Sequence, residues 1–137
     1  MLDENIKQMC DKAQQTMANA YNPYSNFFVG ACLLADDGNY YVGCNVENVS
    51  YSLTICAENN AIGNMIAAGG KKIKSMVIVA DCEKIISPCG ACRQVIAELA
   101  NPDTKIYMFN KNNDYKVRTI AELLPDTFDT GFLTEAE

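Results

Sequence analysis

The sequence predicts an α/β fold: a three-layer α/β/α sandwich around a mixed five-stranded sheet. Apolar residues recur at helical spacing in several segments, apolar runs of strand length lie between those segments, and turn residues separate them. Helices that alternate with strands in this way pack on both faces of one sheet. The 137 residues suit one domain, which we expect to span 1–137, with a candidate mobile tail at about 126–137.

An amphipathic helix and a hairpin are expected in the first third of the chain. Residues 3–20 carry apolar side chains on one helical face and polar side chains on the other. Residues 28–35 and 40–46 predict two strands, and the Asp37-Gly38 pair between them is typical of a hairpin turn.

Helix and strand patterns alternate through the rest of the chain. Apolar residues at helical spacing predict helices over 56–68 and 91–99. The Thr-x-x-Glu sequence that opens at Thr119 has the form of a capping box and predicts a short last helix. The strands predicted in this part are 73–80, 105–109 and, more weakly, 115–117.

Charge and hydropathy argue against nucleic-acid and membrane partners. The formal net charge is −6, and an acidic chain repels phosphate backbones. No apolar run approaches the ~18 residues that suggest a membrane span. Charged residues interrupt the first twenty positions, so no secretory signal is visible. We therefore expect a cytoplasmic protein.

The sequence has seven cysteines and no histidine. An odd number of cysteines in a reducing compartment favours metal or catalytic thiolates over a disulfide framework. Because histidine is the usual metal ligand and the usual general base, its absence leaves both tasks to other groups. Acid–base chemistry would then fall to carboxylates, tyrosine, lysine or a metal centre.

Two short motifs carry the chemistry: Cys56-Ala57-Glu58 and Pro88-Cys89-Gly90-Ala91-Cys92. Each lies where a predicted helix begins, and a helix start offers free N–H groups and a positive dipole end that stabilise thiolates. The sulfurs of Cys56, Cys89 and Cys92 can occupy three corners of a tetrahedron around Zn²⁺. A zinc site with three protein ligands is the catalytic form, because its fourth position stays open to water.

Glu58 is the candidate proton carrier. It follows the predicted ligand Cys56 by two residues, so its carboxylate can stand beside the metal without binding it. A carboxylate in that place can take a proton from water and return it to a ring nitrogen and a leaving amine. This spacing of Cys-x-Glu and Pro-Cys-x-x-Cys is the signature of zinc-dependent deaminases of nucleobases.

The resemblance extends beyond these motifs and covers roughly residues 18–130. On these segments the chain closely resembles the homotetrameric cytidine deaminase family, in the three-cysteine form of its zinc site. The matching segments, in order, are Pro23-Tyr24-Ser25-x-Phe27-x-Val29-Gly30-Ala31, Asp37-Gly38, Gly43-Cys44-Asn45-Val46-Glu47-Asn48, Ser50-Tyr51, Cys89-Gly90-Ala91-Cys92-Arg93-Gln94 and Glu122-Leu123-Leu124-Pro125.

The resemblance implies hydrolytic deamination of cytidine and deoxycytidine to uridine and deoxyuridine, a reaction of pyrimidine salvage. It implies one Zn²⁺ per subunit, Glu58 as the catalytic residue, and a homotetramer whose active sites neighbouring subunits complete. In the family, the aromatic ring at Phe27 stacks on the pyrimidine, and Asn45 and Glu47 bind the ribose hydroxyls. The further substrate-binding residues that the resemblance implies are Val29, Ala57, Tyr51 and Phe128.

The chain departs from the family at one position of the motif. The family usually has arginine directly after the catalytic glutamate, where it helps to neutralise the thiolates, and this chain has Asn59. We therefore expect a more negative metal site than in relatives with arginine there. Arg93 is no specific replacement, because the family has arginine at that position as well.

The same residues also fit structural roles. The three cysteines could form a closed structural zinc site if Cys44 or Cys82 supplied a fourth ligand. Glu58 could simply stabilise a helix dipole. The expected structural positions of the other residues are the core for Cys10, Cys32, Cys44, Cys82 and Phe27, and strand-end turns for Asn45 and Glu47.

Two other functions stay open at this point. The chain could deaminate another base or base analogue, as the related blasticidin-S deaminases and nucleic-acid-editing deaminases do. The acidic charge and Glu47 argue against a polynucleotide, and the Asn45 and Glu47 pair argues for a ribose diol. The chain could instead be a zinc-stabilised binding module without activity. Zinc stoichiometry combined with an ultraviolet cytidine assay separates these possibilities.

Overall fold

The computed structural model describes residues 2–131 and 133. Within these residues five strands form one sheet, and α-helices pack on it. In chain order the elements are α1 (Glu4–Met17), β1 (Val29–Ala35), β2 (Tyr40–Cys44), a 3-10 helix (Tyr51–Leu53), α2 (Ala57–Ala67), β3 (Ile73–Ala80), α3 (Gly90–Leu99), β4 (Ala100–Phe109), β5 (Tyr115–Thr119) and α4 (Ile120–Leu123).

The sheet is mixed, with the strand order β2-β1-β3-β4-β5. Strands β3 and β4 are parallel, with α3 between them in the chain, and the other neighbouring pairs are antiparallel. A parallel pair needs a crossover connection, and the helix that supplies it packs on the sheet. This crossover brings the start of α3 to the end of the sheet where β3 finishes.

Alternate side chains of the strands divide the core into two parts. On one face, Cys32, Val77 and Val79 pack with Met9 and other apolar residues of α1. The opposite face packs against α2, α3 and α4. Its core includes Leu33, Met76, Ile78, Ile106 and Met108 from the sheet and Ile62, Met65, Ile96 and Ile120 from the helices. The predicted three-layer sandwich around a mixed five-stranded sheet is confirmed.

Helix α2 packs very closely against the edge strand β2. A Cβ on Gly43 would lie 2.4 Å from the amide nitrogen of Ala61 and 2.5 Å from the carbonyl oxygen of Ala57. Two amide side chains one turn apart on α2 then bond the outer edge of the strand. Asn60 donates to the Cys44 carbonyl and Asn64 to the Val42 carbonyl, both at 2.7 Å. These bonds satisfy edge carbonyls that would otherwise be open to another strand.

Most predicted elements agree with the structure, and the differences have local causes. Strand β3 has the predicted bounds, and Thr119 and Glu122 form the predicted capping box. Strand β4 begins at Ala100 rather than 105, because a shift in its register with β3 admits the polar residues 101–103. The Thr104 hydroxyl bonds both the Asn101 amide and the Ile73 carbonyl across that irregularity.

The expectations for the chain ends stay predictions. The single domain over 1–137 stays a prediction, and the candidate tail at 126–137 includes residues 132 and 134–137, which lie outside the described residues. Of the helices that the structure describes, none combines the length and the apolar character needed to cross a membrane.

The close packing of α2 against β2 can be tested with two alanine substitutions. Gly43→Ala should lower the free energy of unfolding by about 1–3 kcal/mol, because the new methyl group meets backbone atoms that cannot rotate away. Gly63→Ala lies on the same helix with nothing within 4 Å of the new Cβ, and it should stabilise by about 0.5–1 kcal/mol. Urea denaturation measures both. Equal stabilities would mean that α2 moves freely on β2.

Candidate metal centre and active site

Two helices begin at the same place with a cysteine at each N-cap. Cys56 caps α2 and Cys89 caps α3, both with extended backbone. Cys92 follows in the first turn of α3, and its side chain is buried. The first N–H groups of a helix have no partner within the helix, so they can donate to sulfur at this site.

The three sulfurs form a compact cluster. The Sγ atoms of Cys56, Cys89 and Cys92 all lie within 4.8 Å of one another, and those of Cys56 and Cys89 are 3.9 Å apart. No fourth cysteine joins the cluster within the described residues. The thiol of Cys82 instead donates to the Lys84 carbonyl at 3.1 Å. A closed four-cysteine structural site therefore does not fit this geometry.

Proton sharing within the cluster favours a thiolate. Hydrogen bonding from Cys92 lowers the pKa of the Cys56 thiol to about 6, against the opposing effect of partial burial. The same contact raises the pKa of Cys92, since that thiol keeps the shared proton. A set of sulfurs that shares its protons in this way loses them readily to a divalent cation.

Zinc fits this donor set. Tetrahedral Zn²⁺ takes cysteine sulfur at about 2.3 Å, and ligands at that distance place neighbouring sulfurs just under 4 Å apart, close to the Cys56–Cys89 separation. Two converging helix N-termini also stabilise the negative charge of the thiolates. The cluster therefore presents three ligands and leaves one tetrahedral position to another molecule.

The carboxyl group of Glu58 lies beside the cluster in the first turn of α2. Glu58 is only 4% exposed, and burial raises the pKa of its carboxyl group. The Cys92 thiol bonds to this carboxyl group. Ala57, the first residue of α2, is fully buried between Glu58 and the capping cysteine. A buried carboxyl group with a raised pKa is suited to proton transfer near neutral pH.

Asn45 joins the end of β2 to the segment that leads into β1. Its side chain accepts a hydrogen bond from the Val29 amide at 3.0 Å and donates to the Phe27 carbonyl at 2.8 Å. Val29 is buried, whereas Phe27 is half-buried and packs against the core on the side of α2. Asn45 thus holds the backbone of Phe27 and Val29, as the structural interpretation of a strand-end residue expected.

Glu47 and Tyr51 line the same open pocket. The pocket has a volume of about 450 Å³ and is lined by Tyr24, Ser25, Glu47, Tyr51 and Thr54. The rings of Tyr24 and Tyr51 meet edge to face, with centroids 6.0 Å apart. Tyr51 is 74% exposed, so most of the surface of this residue is uncovered in a single chain.

Phe128 lies in a different pocket, between α3, α4 and the segment after α4. It is 59% exposed, and its carbonyl accepts a hydrogen bond from the Gln94 side chain at 2.8 Å. None of the three cysteines lines this pocket. Within one chain, the pocket that Phe128 lines shares no residue with the pocket of Glu47 and Tyr51.

Arg93 and Asn59, each one residue past a residue of the proposed site, differ in their contacts. Arg93 donates from Nε to the Pro88 carbonyl and from Nη1 to the Leu123 carbonyl, both at 2.8 Å. It therefore ties the loop before Cys89 to the end of α4. Asn59 buries its side-chain oxygen without a hydrogen-bond partner among the described residues.

Sequence reasoning missed the contacts of Ser25, Asn60 and Arg93. Ser25 and Arg93 stand in the motifs that carry the resemblance, but nothing there specified their partners. The only sequence signal for Asn60 was its spacing of four residues from Asn64. This spacing places both amide side chains on one helical face. Its strand partner depends on how α2 lies against β2.

The fold and the site together define a class: an α/β protein with a three-cysteine zinc-binding centre and a buried carboxylate beside it. The family model described as the cytidine and deoxycytidylate deaminase zinc-binding region matches residues 3–108 of this chain. The chain belongs to this family.

Individual relatives agree with this assignment. The chain is 43% identical over 132 residues to a cytidine deaminase of Sporosarcina psychrophila, covering 96% of this chain and 97% of that protein. It is 44% identical over 122 residues to a cytidine deaminase of Halalkalibacterium halodurans, covering 89% of this chain and 92% of that protein. The crystal structure of a cytidine deaminase from Burkholderia pseudomallei superposes with a TM-score of 0.86 at 40% identity, over 93% of this chain and all of that one.

Removal of one cysteine should release the metal. The wild-type chain should contain about one zinc ion per subunit by elemental analysis. Cys89→Ser should bind much less zinc and unfold at a lower temperature, because binding energy at such a site contributes to folding. Cys82→Ser lies outside the cluster and should keep the full zinc content. A stable, metal-free Cys89→Ser protein with wild-type activity would contradict the assignment.

Proposed function

We propose that this chain catalyses the hydrolytic deamination of cytidine and deoxycytidine to uridine and deoxyuridine, as a step of pyrimidine salvage. The observation that carries the proposal is the cluster of three sulfurs within 4.8 Å, with the buried Glu58 carboxyl group beside it. The relatives named cytidine deaminase, at 43% and 44% identity over most of the chain, support the choice of substrate.

The reaction replaces the exocyclic amine at C4 of the pyrimidine with oxygen. Water forms the new C4–O bond, the C4–N bond breaks, and ammonia leaves. When Zn²⁺ is bound, it lowers the pKa of water and so supplies the nucleophile at neutral pH. Glu58 takes one proton from the water and delivers it to N3 of the ring, and it then takes the second proton from the new hydroxyl at C4 and delivers it to the leaving amine. Burial raises the pKa of this carboxyl group, which favours its protonated, proton-donating form.

The residues that the family resemblance assigns to the substrate suit a nucleoside. The half-buried ring of Phe27 offers a face for the flat pyrimidine, and it packs against the core cluster that contains Val29 and Ala57. Asn45 and Glu47 offer an amide and a carboxylate to the sugar hydroxyls. The charge of Glu47 repels a 5′-phosphate, so a nucleoside is favoured over a nucleotide.

The Glu58 role is tested by a substitution that keeps its shape. Glu58→Gln should retain zinc and fold, yet lose roughly 10²–10⁴ in turnover of cytidine, because an amide cannot carry the proton. Glu4→Gln is the matched control: it also removes a carboxylate from the first turn of a helix, and it should keep normal turnover. Turnover of Glu58→Gln within a few fold of wild type would exclude Glu58 as the proton carrier.

The same assay tests the function as a whole. Loss of absorbance with cytidine, but not with single-stranded DNA or RNA of matched cytosine content, is the expected result. A protein that holds one zinc ion and turns over none of these substrates would be a binding module. The cytoplasmic location, and the expected absence of membrane and nucleic-acid partners, stay predictions from the sequence.

We further infer that the protein is a homotetramer whose active sites neighbouring subunits complete. The support is a patch of exposed apolar side chains around the Glu47 pocket, which we call the pocket rim. It consists of Tyr21, Tyr24, Val46, Val49, Tyr51, Leu53 and Ile55, each at least 41% exposed. A patch of this kind is typical of an interface between subunits. In an assembly, Tyr51 and Phe128 of one subunit would reach the site of another.

A charge on the pocket rim should separate the subunits. Light scattering should give the mass of a tetramer for the wild type and a smaller mass for Leu53→Glu, with cytidine turnover reduced in parallel. Gln15→Glu adds the same charge at an exposed position of α1 and should leave mass and turnover unchanged. A wild-type monomer that turns over cytidine normally would refute the inference.

A further inference from the structure

We propose that Ser25 is a positioning residue, whose hydroxyl fixes the Glu47 carboxylate in the orientation that receives the sugar of the nucleoside. The inference rests on the proposed function, since it assigns Glu47 to substrate. Ser25 itself need not contact the substrate. It acts through Glu47 and through the backbone of Phe27.

Three donors from one turn of the chain hold the Glu47 carboxylate. Its Oε1 accepts hydrogen bonds from the backbone amides of Tyr24 at 3.0 Å and Ser25 at 3.1 Å. Its Oε2 accepts a hydrogen bond from the Ser25 hydroxyl. Because both oxygens are bonded, the carboxylate cannot rotate freely, and Glu47 lines the open pocket. A sugar hydroxyl that donates to Glu47 therefore meets an oriented acceptor.

The same hydroxyl connects the sugar contact to the base contact. While Ser25 Oγ donates to Glu47, it accepts a hydrogen bond from the Phe27 amide at 3.0 Å. The Phe27 carbonyl is in turn held by the Asn45 side chain at 2.8 Å. Both backbone groups of Phe27 are therefore fixed by side chains at the mouth of the site. One serine hydroxyl links the acceptor for the sugar with the aromatic residue for the pyrimidine.

The charge of Glu47 also depends on this contact. The hydrogen bond from the Ser25 hydroxyl is the largest cause that lowers the pKa of the Glu47 carboxyl group, and the two backbone amides add to it. The other titratable side chains that line the pocket are the phenols of Tyr24 and Tyr51. No lysine, arginine or second carboxylate lines it among the described residues, so hydrogen bonding sets the protonation of Glu47.

The direction of the pH effect follows from this. A lowered pKa keeps Glu47 ionised at acid pH, where it can still accept a hydrogen bond from the sugar. Without the Ser25 hydroxyl, the pKa of Glu47 rises, and the carboxyl group becomes protonated at a higher pH. As the solution is acidified, the increase in the KM for cytidine would then begin at a higher pH than in the wild type.

The alternative is that Glu47 only stabilises the turn over 22–26, with Ser25 as part of that turn. This alternative predicts a loss of thermal stability when either residue is changed, with no effect on KM. Stability alone therefore cannot decide between the two. The division of the effect between KM and kcat decides it, together with the pH dependence of KM.

The experiment compares Ser25→Ala, Ser25→Thr and Ser52→Ala in steady-state kinetics with cytidine between pH 5 and pH 8. Ser25→Ala should raise KM about tenfold, as expected for loss of a hydrogen bond to a charged group, with kcat within twofold of wild type. The acid rise in KM should move to higher pH. Ser25→Thr keeps the hydroxyl and should restore both properties. Ser52→Ala removes an exposed hydroxyl from the 3-10 helix and should change neither.

Two further measurements keep the outcome decisive. Glu47→Gln should raise KM at every pH and abolish its acid rise, because the titrating group is gone. Should Ser25→Ala fail to fold, Ser25→Cys replaces the hydroxyl with a weaker donor of similar shape and should raise KM in the same direction. An unchanged KM and pH profile in Ser25→Ala or Ser25→Cys overturns the positioning role, even where stability falls. A wild-type enzyme that does not turn over cytidine overturns the proposed function instead.

Discussion

The close packing of α2 on strand β2 determines where the candidate active site of this protein lies. At Gly43 the helix backbone approaches the strand so closely that a single Cβ would meet two backbone atoms within 2.5 Å. The amides of Asn60 and Asn64 then fasten the helix to the outer carbonyls of the same strand. Because Cys56 caps this helix and Glu58 lies in its first turn, the contact fixes a metal ligand and the proposed proton carrier together.

The second half of the centre comes from the parallel connection between β3 and β4. The chain leaves β3, forms the loop that ends at Cys89 and enters α3, so the N-terminus of α3 meets that of α2. Arg93 binds the carbonyls of Pro88 and Leu123 and joins this loop to the last helix. Its positive charge is thus directed at backbone oxygens. The two helix termini are left as the source of positive potential for the thiolates, together with the metal.

Elements with regular periodicity could be predicted from the sequence, and so could the residues of the metal centre. The apolar run of β3 and the helical spacing of α1 reflect contacts that repeat along one face, and repeated contacts leave a pattern. The start of β4 could not be predicted, because residues 101–103 are polar and their pairing depends on a shifted register with β3. The cysteines were predictable since the chemistry of zinc demands particular residue types at particular spacings. The partners of Ser25 and Asn45 were not, because they depend on which strand ends the fold brings side by side.

Asn45 and Glu47 illustrate why the contacts of proposed binding residues resist prediction from a single sequence. Each side chain hydrogen-bonds the backbone of the 24–29 segment, and these are the contacts of an ordinary strand-end residue. The contacts of Glu47 hold its carboxylate on the lining of the pocket before a ligand arrives. A binding group that the fold already holds loses little conformational freedom on binding, so the free energy of each new hydrogen bond goes into affinity. A structural role and the proposed ligand-binding role are therefore not competing explanations for Glu47, since the first provides the orientation that the second requires.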